Sequence, residues 1–97
     1  MHLSITTNGD RKMQILNFDY DLEHGFVWIE VNTNTNKDRW TVQCCVEDNS
    51  KKIIMHDCGA DWGCCGDANE KAFNHWGENR CLTALFRKAK ESGFEVI

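Results

Sequence analysis

Alternation of apolar and polar positions marks the first half of the chain as β-structure. In Phe26–Asn32, Val27, Ile29 and Val31 fall on one side, and Phe26, Trp28 and Glu30 fall on the other. That period of two is the signature of a strand with one buried face. Arg39–Glu47 repeats it, with Trp40, Val42, Cys44 and Val46 together and Thr41, Gln43, Cys45 and Glu47 opposite. Further β-rich runs lie at Leu3–Thr7, Met13–Tyr20 and Lys51–His56. They are separated by Asn8-Gly9-Asp10, a tight-turn signal, and by polar breaks at 21–25, 33–38 and 48–50. Connections this short leave no room for crossover helices. They predict an antiparallel meander of four to five strands, with the Val27 and Trp40 rows sharing one face.

From Asp67 to Ser92 the apolar period lengthens to that of a helix. Asp67-Ala68-Asn69-Glu70 reads as an N-cap with an acid three residues on. A first helix is predicted to about Trp76, with Ala68, Ala72, Phe73 and Trp76 on its apolar stripe. Gly77 should end or kink it, and Asn79 is placed to cap a second helix. There Leu82, Leu85, Phe86 and Ala89 fall at i, i+3, i+4 and i+7, with Cys81 bordering the stripe. Gly93 is a natural stop, and Phe94–Ile97 should form a short edge strand or a packed tail. The predicted fold is α+β: one domain over residues 1–97, its sheet covered on one face by two C-terminal helices.

Length and composition narrow the function classes. The chain has 97 residues, 41% of them hydrophobic, and no proline, enough for one core. No apolar run approaches the ~18 residues a membrane span needs, and the N-terminus lacks the marks of a secretion signal. A cytoplasmic location is expected, with the six cysteines reduced.

Several of those cysteines cluster with histidine. His56, Cys58, Cys64 and Cys65 lie close together, and Cys81 follows. These residue types suit zinc, but structural zinc sites present paired ligands two to four residues apart, twice over. Here one pair is too tight and another is vicinal, so a reduced core accounts better for the cysteines. A zinc-stabilised module using these five residues is the alternative. A thiol-dependent enzyme is the remote one, because Asp57, Asp61, Asp67 and Glu70 surround Cys64 and Cys65 and oppose thiolate formation. No phosphate loop, dinucleotide fingerprint or nucleophile signature is present. No enzymatic activity, cofactor or resident metal is expected.

Charge changes the picture more than cysteine does. The net charge is −4. It divides into 12 acids against 6 bases over residues 1–70, and 3 acids against 5 bases over residues 71–97. Two stretches carry acids with no Lys or Arg: 13–36, with Asp19, Asp21, Glu23 and Glu30, and 53–70, with Asp57, Asp61, Asp67 and Glu70. Acids fixed on a rigid sheet can imitate phosphate rows and steer encounter with a basic groove. Tyr20, Trp28 and Trp62 are candidate aromatic anchors at its rim. These eight acids are the candidate partner-binding residues.

Taken whole, this small, acidic, proline-free α+β chain without a catalytic signature resembles the phage-encoded anti-CRISPR proteins, most nearly the acidic type I-F inhibitors. The likeness lies in size and charge layout over all 97 residues. It implies a stoichiometric inhibitor in the cytoplasm of a bacterial host. Its partners would be subunits of a CRISPR surveillance complex with a basic DNA-binding surface. It would block target DNA by imitating the duplex, with no direct contact to nucleic acid or membrane.

Overall fold

The computed structural model describes residues 13–33, 39–47, 49–54 and 66–97. Its elements are β1 (Gln14–Asp21), β2 (Phe26–Asn32), β3 (Trp40–Cys45), β4 (Lys52–Ile53), α1 (Gly66–Trp76), α2 (Glu78–Glu91) and β5 (Glu95–Val96). The protein is α+β, as the two hydrophobic periods predict. The predicted strand Leu3–Thr7 and its Asn8-Gly9-Asp10 turn lie outside the described residues.

Strands β1, β2 and β3 form an antiparallel meander in that order. Ile29 stands between Phe18 and Val42, and Trp28 between Asp19 and Gln43. Between Ile15 and Asn17 the register shifts by one, leaving Leu16 as the extra residue of a bulge. The β1–β2 turn is closed by Gly25, which donates to the Asp21 carbonyl at 2.8 Å and accepts from the Val46 amide at 2.9 Å. Its φ of +83° is strained for any residue with a Cβ.

The expected meander of four to five strands is not what the described residues form. β4 leaves it and pairs in parallel with β5, Lys52 opposite Glu95 and Ile53 opposite Val96. Parallel pairing requires a long crossover, and the segment containing α1 and α2 supplies it. The end of α2 makes the return sharp. Phe94 donates to the Ala89 carbonyl and Gly93 to the Lys90 carbonyl, the paired bonds of a Schellman cap. Gly93 takes the left-handed φ of +91° that this cap requires, and Phe94 swings into the core.

That core lies between one sheet face and the two helices. Val27, Ile29, Val31, Val42 and Cys44 meet Ala72, Phe73, Leu82, Leu85 and Ala89. The rows predicted to share a face do so. At one end, Phe94 stands edge-on to Tyr20 at 5.2 Å and to Phe18 at 6.1 Å. Lys51 Nζ lies 5.1 Å from the Tyr20 ring centre. Toward the other end, Trp40, His75 and Trp76 form a mutually edge-on trio with centroids 4.8–5.7 Å apart.

Both helix starts depart from expectation. The stripe of α1 begins at Asn69, 1% exposed, while Ala68 is exposed. Asn69 Oδ1 accepts from the Gln43 amide at 2.7 Å, and its Nδ2 donates to the Gln43 carbonyl at 2.8 Å. One side-chain amide thus stands in for a neighbouring strand at the outer edge of β3, where hydrophobic periodicity asks for an apolar residue. Asp67 lies in the first turn of α1 rather than before it. At α2 the cap position is Gly77, with no side-chain cap bond, and Asn79 falls inside the first turn. Gly77 donates to Phe73 O and accepts from the Cys81 amide, so the chain kinks there without a break long enough for Asn79 to cap.

Asn69→Ala removes both partners of a main-chain N–H and C=O. It should destabilise the protein by about 2 kcal/mol or more. Asn69→Asp should also destabilise, because a carboxylate cannot donate to the Gln43 carbonyl. Urea unfolding checks both: the midpoint should fall while the slope stays that of the parent.

Candidate partner-binding face

The alternation that buries Val27, Ile29 and Val31 turns Phe26, Trp28 and Glu30 to the opposite side of the sheet. Cross-strand pairing places Asp21 beside Phe26, Asp19 beside Trp28 and Asn17 beside Glu30. β3 adds Thr41, Gln43 and Cys45 to the same side. Asp19, Asp21 and Glu30 therefore share the face away from the helices, around a half-buried Trp28. No Lys or Arg stands on that face in the three strands. Neighbouring same-face positions on a strand are ~7 Å apart, so Asp19 and Asp21 form a short carboxylate row.

Each acid is held differently. Asp19 Oδ1 accepts from the Tyr20 amide at 2.8 Å and is otherwise exposed. Glu30 Oε1 accepts from Asn17 Nδ2 at 3.2 Å across the strand pair. Asp21 is engaged at both oxygens: Oδ1 by the His24 amide at 3.1 Å and Oδ2 by His24 Nδ1 at 2.8 Å. The side-chain bond from His24, then that from its amide, hold the Asp21 carboxyl below its ordinary value. Glu23 is exposed at the hairpin tip, beside the row rather than in it.

The remaining candidates separate from this row. Asp67 and Glu70 are exposed on α1, whose opposite side carries Asn69, Ala72 and Phe73 into the interior. Asp57 and Asp61 lie outside the described residues, as does Trp62. Of the proposed anchors, Trp28 stands among the acids. Tyr20 does not: it sits opposite Val27 and packs with Phe18 and Phe94 on the helix side. Asn69 and the bulge at Leu16 left no sequence signal, since an asparagine beside a helix start reads first as capping.

Among the proposed zinc ligands, His56, Cys58, Cys64 and Cys65 lie outside the described residues. Cys81 is fully buried, and its thiol donates to the Ala72 carbonyl at 3.4 Å. Burial pushes its pKa up to about 12, with nearby Arg80 opposing weakly. A thiol this reluctant to ionise is a poor metal ligand and a poor nucleophile. Cys44 is likewise buried. Among the described residues no helix is long and apolar enough to cross a membrane.

Two measurements test these assignments. The folded-state pKa of Asp21 is depressed, so its stabilising contribution is present above 3.8 and is lost as pH falls through the lower folded value. A carboxyl-carbon NMR titration should place its midpoint below 3.8, and His24→Ala should raise that midpoint. Cys81 should react with a thiol reagent at pH 8 only as fast as the protein opens, and denaturant should expose it. Comparison of the chain with protein families, with curated proteins and with solved structures finds no match.

Proposed function

We propose that the protein is a non-enzymatic inhibitor that docks the Asp19–Asp21–Glu30 face on the basic, DNA-accepting surface of a protein partner. The observation that carries this reading is the grouping of three carboxylates around Trp28 on one sheet face, with no cation among the neighbouring strand positions. Such a face attracts Arg and Lys rows arranged for phosphate, and the attraction speeds encounter and fixes orientation. Trp28 supplies apolar contact area at the centre, where interface energy concentrates. The sheet holds the acids in place before binding, so little side-chain order is lost on docking. The resemblance in size and charge layout to type I-F anti-CRISPR proteins gives the partner class to test first, a CRISPR surveillance complex and its target duplex.

Binding should compete with duplex DNA and weaken as salt rises. Asp19→Lys and Glu30→Lys should each lower affinity about tenfold or more at low salt. Trp28→Ala should cost about 2 kcal/mol of binding. Folding, followed by circular dichroism, should be intact in the two charge variants. Competition binding with the purified complex reads all of these. If both charge variants displace the duplex as well as the parent does, the acidic-face reading fails.

A further inference from the structure

The outer side of α2 has the opposite character to the sheet face that carries the acids. Two grooves flank its ridge of Asn79, Thr83 and Arg87. One, of about 540 Å³, has Leu82 and Phe86 in its wall and is bordered by Arg87 and Lys90. The other, of about 500 Å³, lies between α2 and the start of β1, with Met13, Ile15 and Ala84 in its wall and Arg80 and Arg87 at its border. Arg80, Arg87 and Lys90 are exposed. Among the described residues none of the three has an ion-pair partner, whereas Lys88 is paired with Glu91 at 3.6 Å. Among the described residues, Glu78 is the single acid bordering either groove. Apolar walls beneath unpaired cations suit an acidic surface that carries aromatic side chains, more than they suit a bare phosphate backbone.

We infer that this helix face takes the acidic sheet face of a second copy of the same chain, giving head-to-tail association. The two surfaces complement each other in charge and length. From the Asp21–Phe26 pair to Glu30 the acidic row spans four residue steps of β2, roughly 14 Å at ~3.4 Å per residue. From Arg80 to Lys90 the cationic row spans ten residue steps of a helix, roughly 15 Å at ~1.5 Å per residue. Trp28 and Phe26 lie between the carboxylates; between the cations half-buried Ala84 reaches the surface, over the core residues Leu82 and Phe86 that floor the groove. The helices cover the sheet face opposite to the acids, so the two surfaces sit on opposite sides of one molecule. A contact between unlike surfaces does not close on itself as a two-fold dimer does. Each added copy leaves one acidic and one basic face open. The inference shares the acidic face with the proposed function but does not require it, and self-association would mask that face from any other partner.

Sedimentation velocity of the full chain tests this. The weight-average sedimentation coefficient of the parent should rise with concentration at about 0.05 M salt and fall back toward the monomer at about 0.5 M. Asp19→Lys/Glu30→Lys lacks a working acidic face, and Arg80→Glu/Arg87→Glu lacks a working basic one. Each should remain monomeric alone. Mixed in equal amounts they retain one complementary pair of faces, and should form a heterodimer that grows no further. Circular dichroism checks that both variants fold. A parent that stays monomeric at every concentration overturns the inference. So does self-association that survives either double reversal, or a mixture that fails to dimerise. Duplex competition separates the two readings: Arg80→Glu/Arg87→Glu should still displace DNA from the surveillance complex, because its acidic face is intact.

Discussion

Two hydrogen bonds between the Asn69 side chain and the main chain of Gln43 set the relation between helices and sheet. A strand edge presents N–H and C=O groups that must be satisfied by a neighbour or by water. On β3 one side-chain amide meets both groups of one residue, at 2.7 and 2.8 Å. The bond pair fixes α1 along the edge, and Ala72 and Phe73, three and four residues on, then reach the interior. α2 follows through Gly77 with little freedom of direction. The helices consequently cover the Val27 side of the sheet, and Asp19, Asp21 and Glu30 fall on the Trp28 side. A different anchor for α1 would change which residues the molecule shows its surroundings.

Local periodicity carried much of this in the sequence. The rows Val27/Ile29/Val31 and Trp40/Val42/Cys44/Val46 do share the buried face, and the α2 stripe of Leu82, Leu85, Phe86 and Ala89 is buried as its spacing predicts. What pattern did not carry was long-range pairing and polar exceptions. β4 is two residues long, and nothing in Lys52 and Ile53 states that their partner lies beyond two helices. Short loops favour a meander only until a Schellman cap returns the chain to a better apolar contact, here Phe94 against Phe18 and Tyr20. Asn69 reads as part of a helix start because its partner, Gln43, is 26 residues away.

The acidic face was legible in part, and for the same reason. A run free of Lys and Arg can be counted in a sequence, but the face each acid occupies depends on register. Because side chains alternate with a period of two, a one-residue slip would carry Asp19 and Asp21 to the core side. The bulge at Leu16 is such a slip, confined to the start of β1. Beyond it, Asn17, Asp19 and Asp21 alternate outward with Phe18 and Tyr20 inward. Position between two acids suggests Tyr20 as a rim anchor, and the side chain is exposed, but on the other side of the sheet. The register puts it opposite Val27 and within reach of Phe94.

Placing three carboxylates on one sheet face has a cost that bears on what the face is for. Like charges repel at neighbouring same-face positions, here Asp19 and Asp21 along β1 and Asp19 and Glu30 on the diagonal across the β1–β2 pair. The fold contains the repulsion locally. Asp21 is engaged by His24, Glu30 by Asn17 and Asp19 by the Tyr20 amide, so each carboxylate has a hydrogen-bond donor although the strands supply no cation. Donors of this kind orient a carboxylate while leaving its charge in place. Solubility alone would be served as well by acids scattered over the surface. Acids fixed in orientation and grouped around a tryptophan, with His24 beside Asp21 alone, would gain electrostatic energy from an incoming Arg or Lys on the proposed reading.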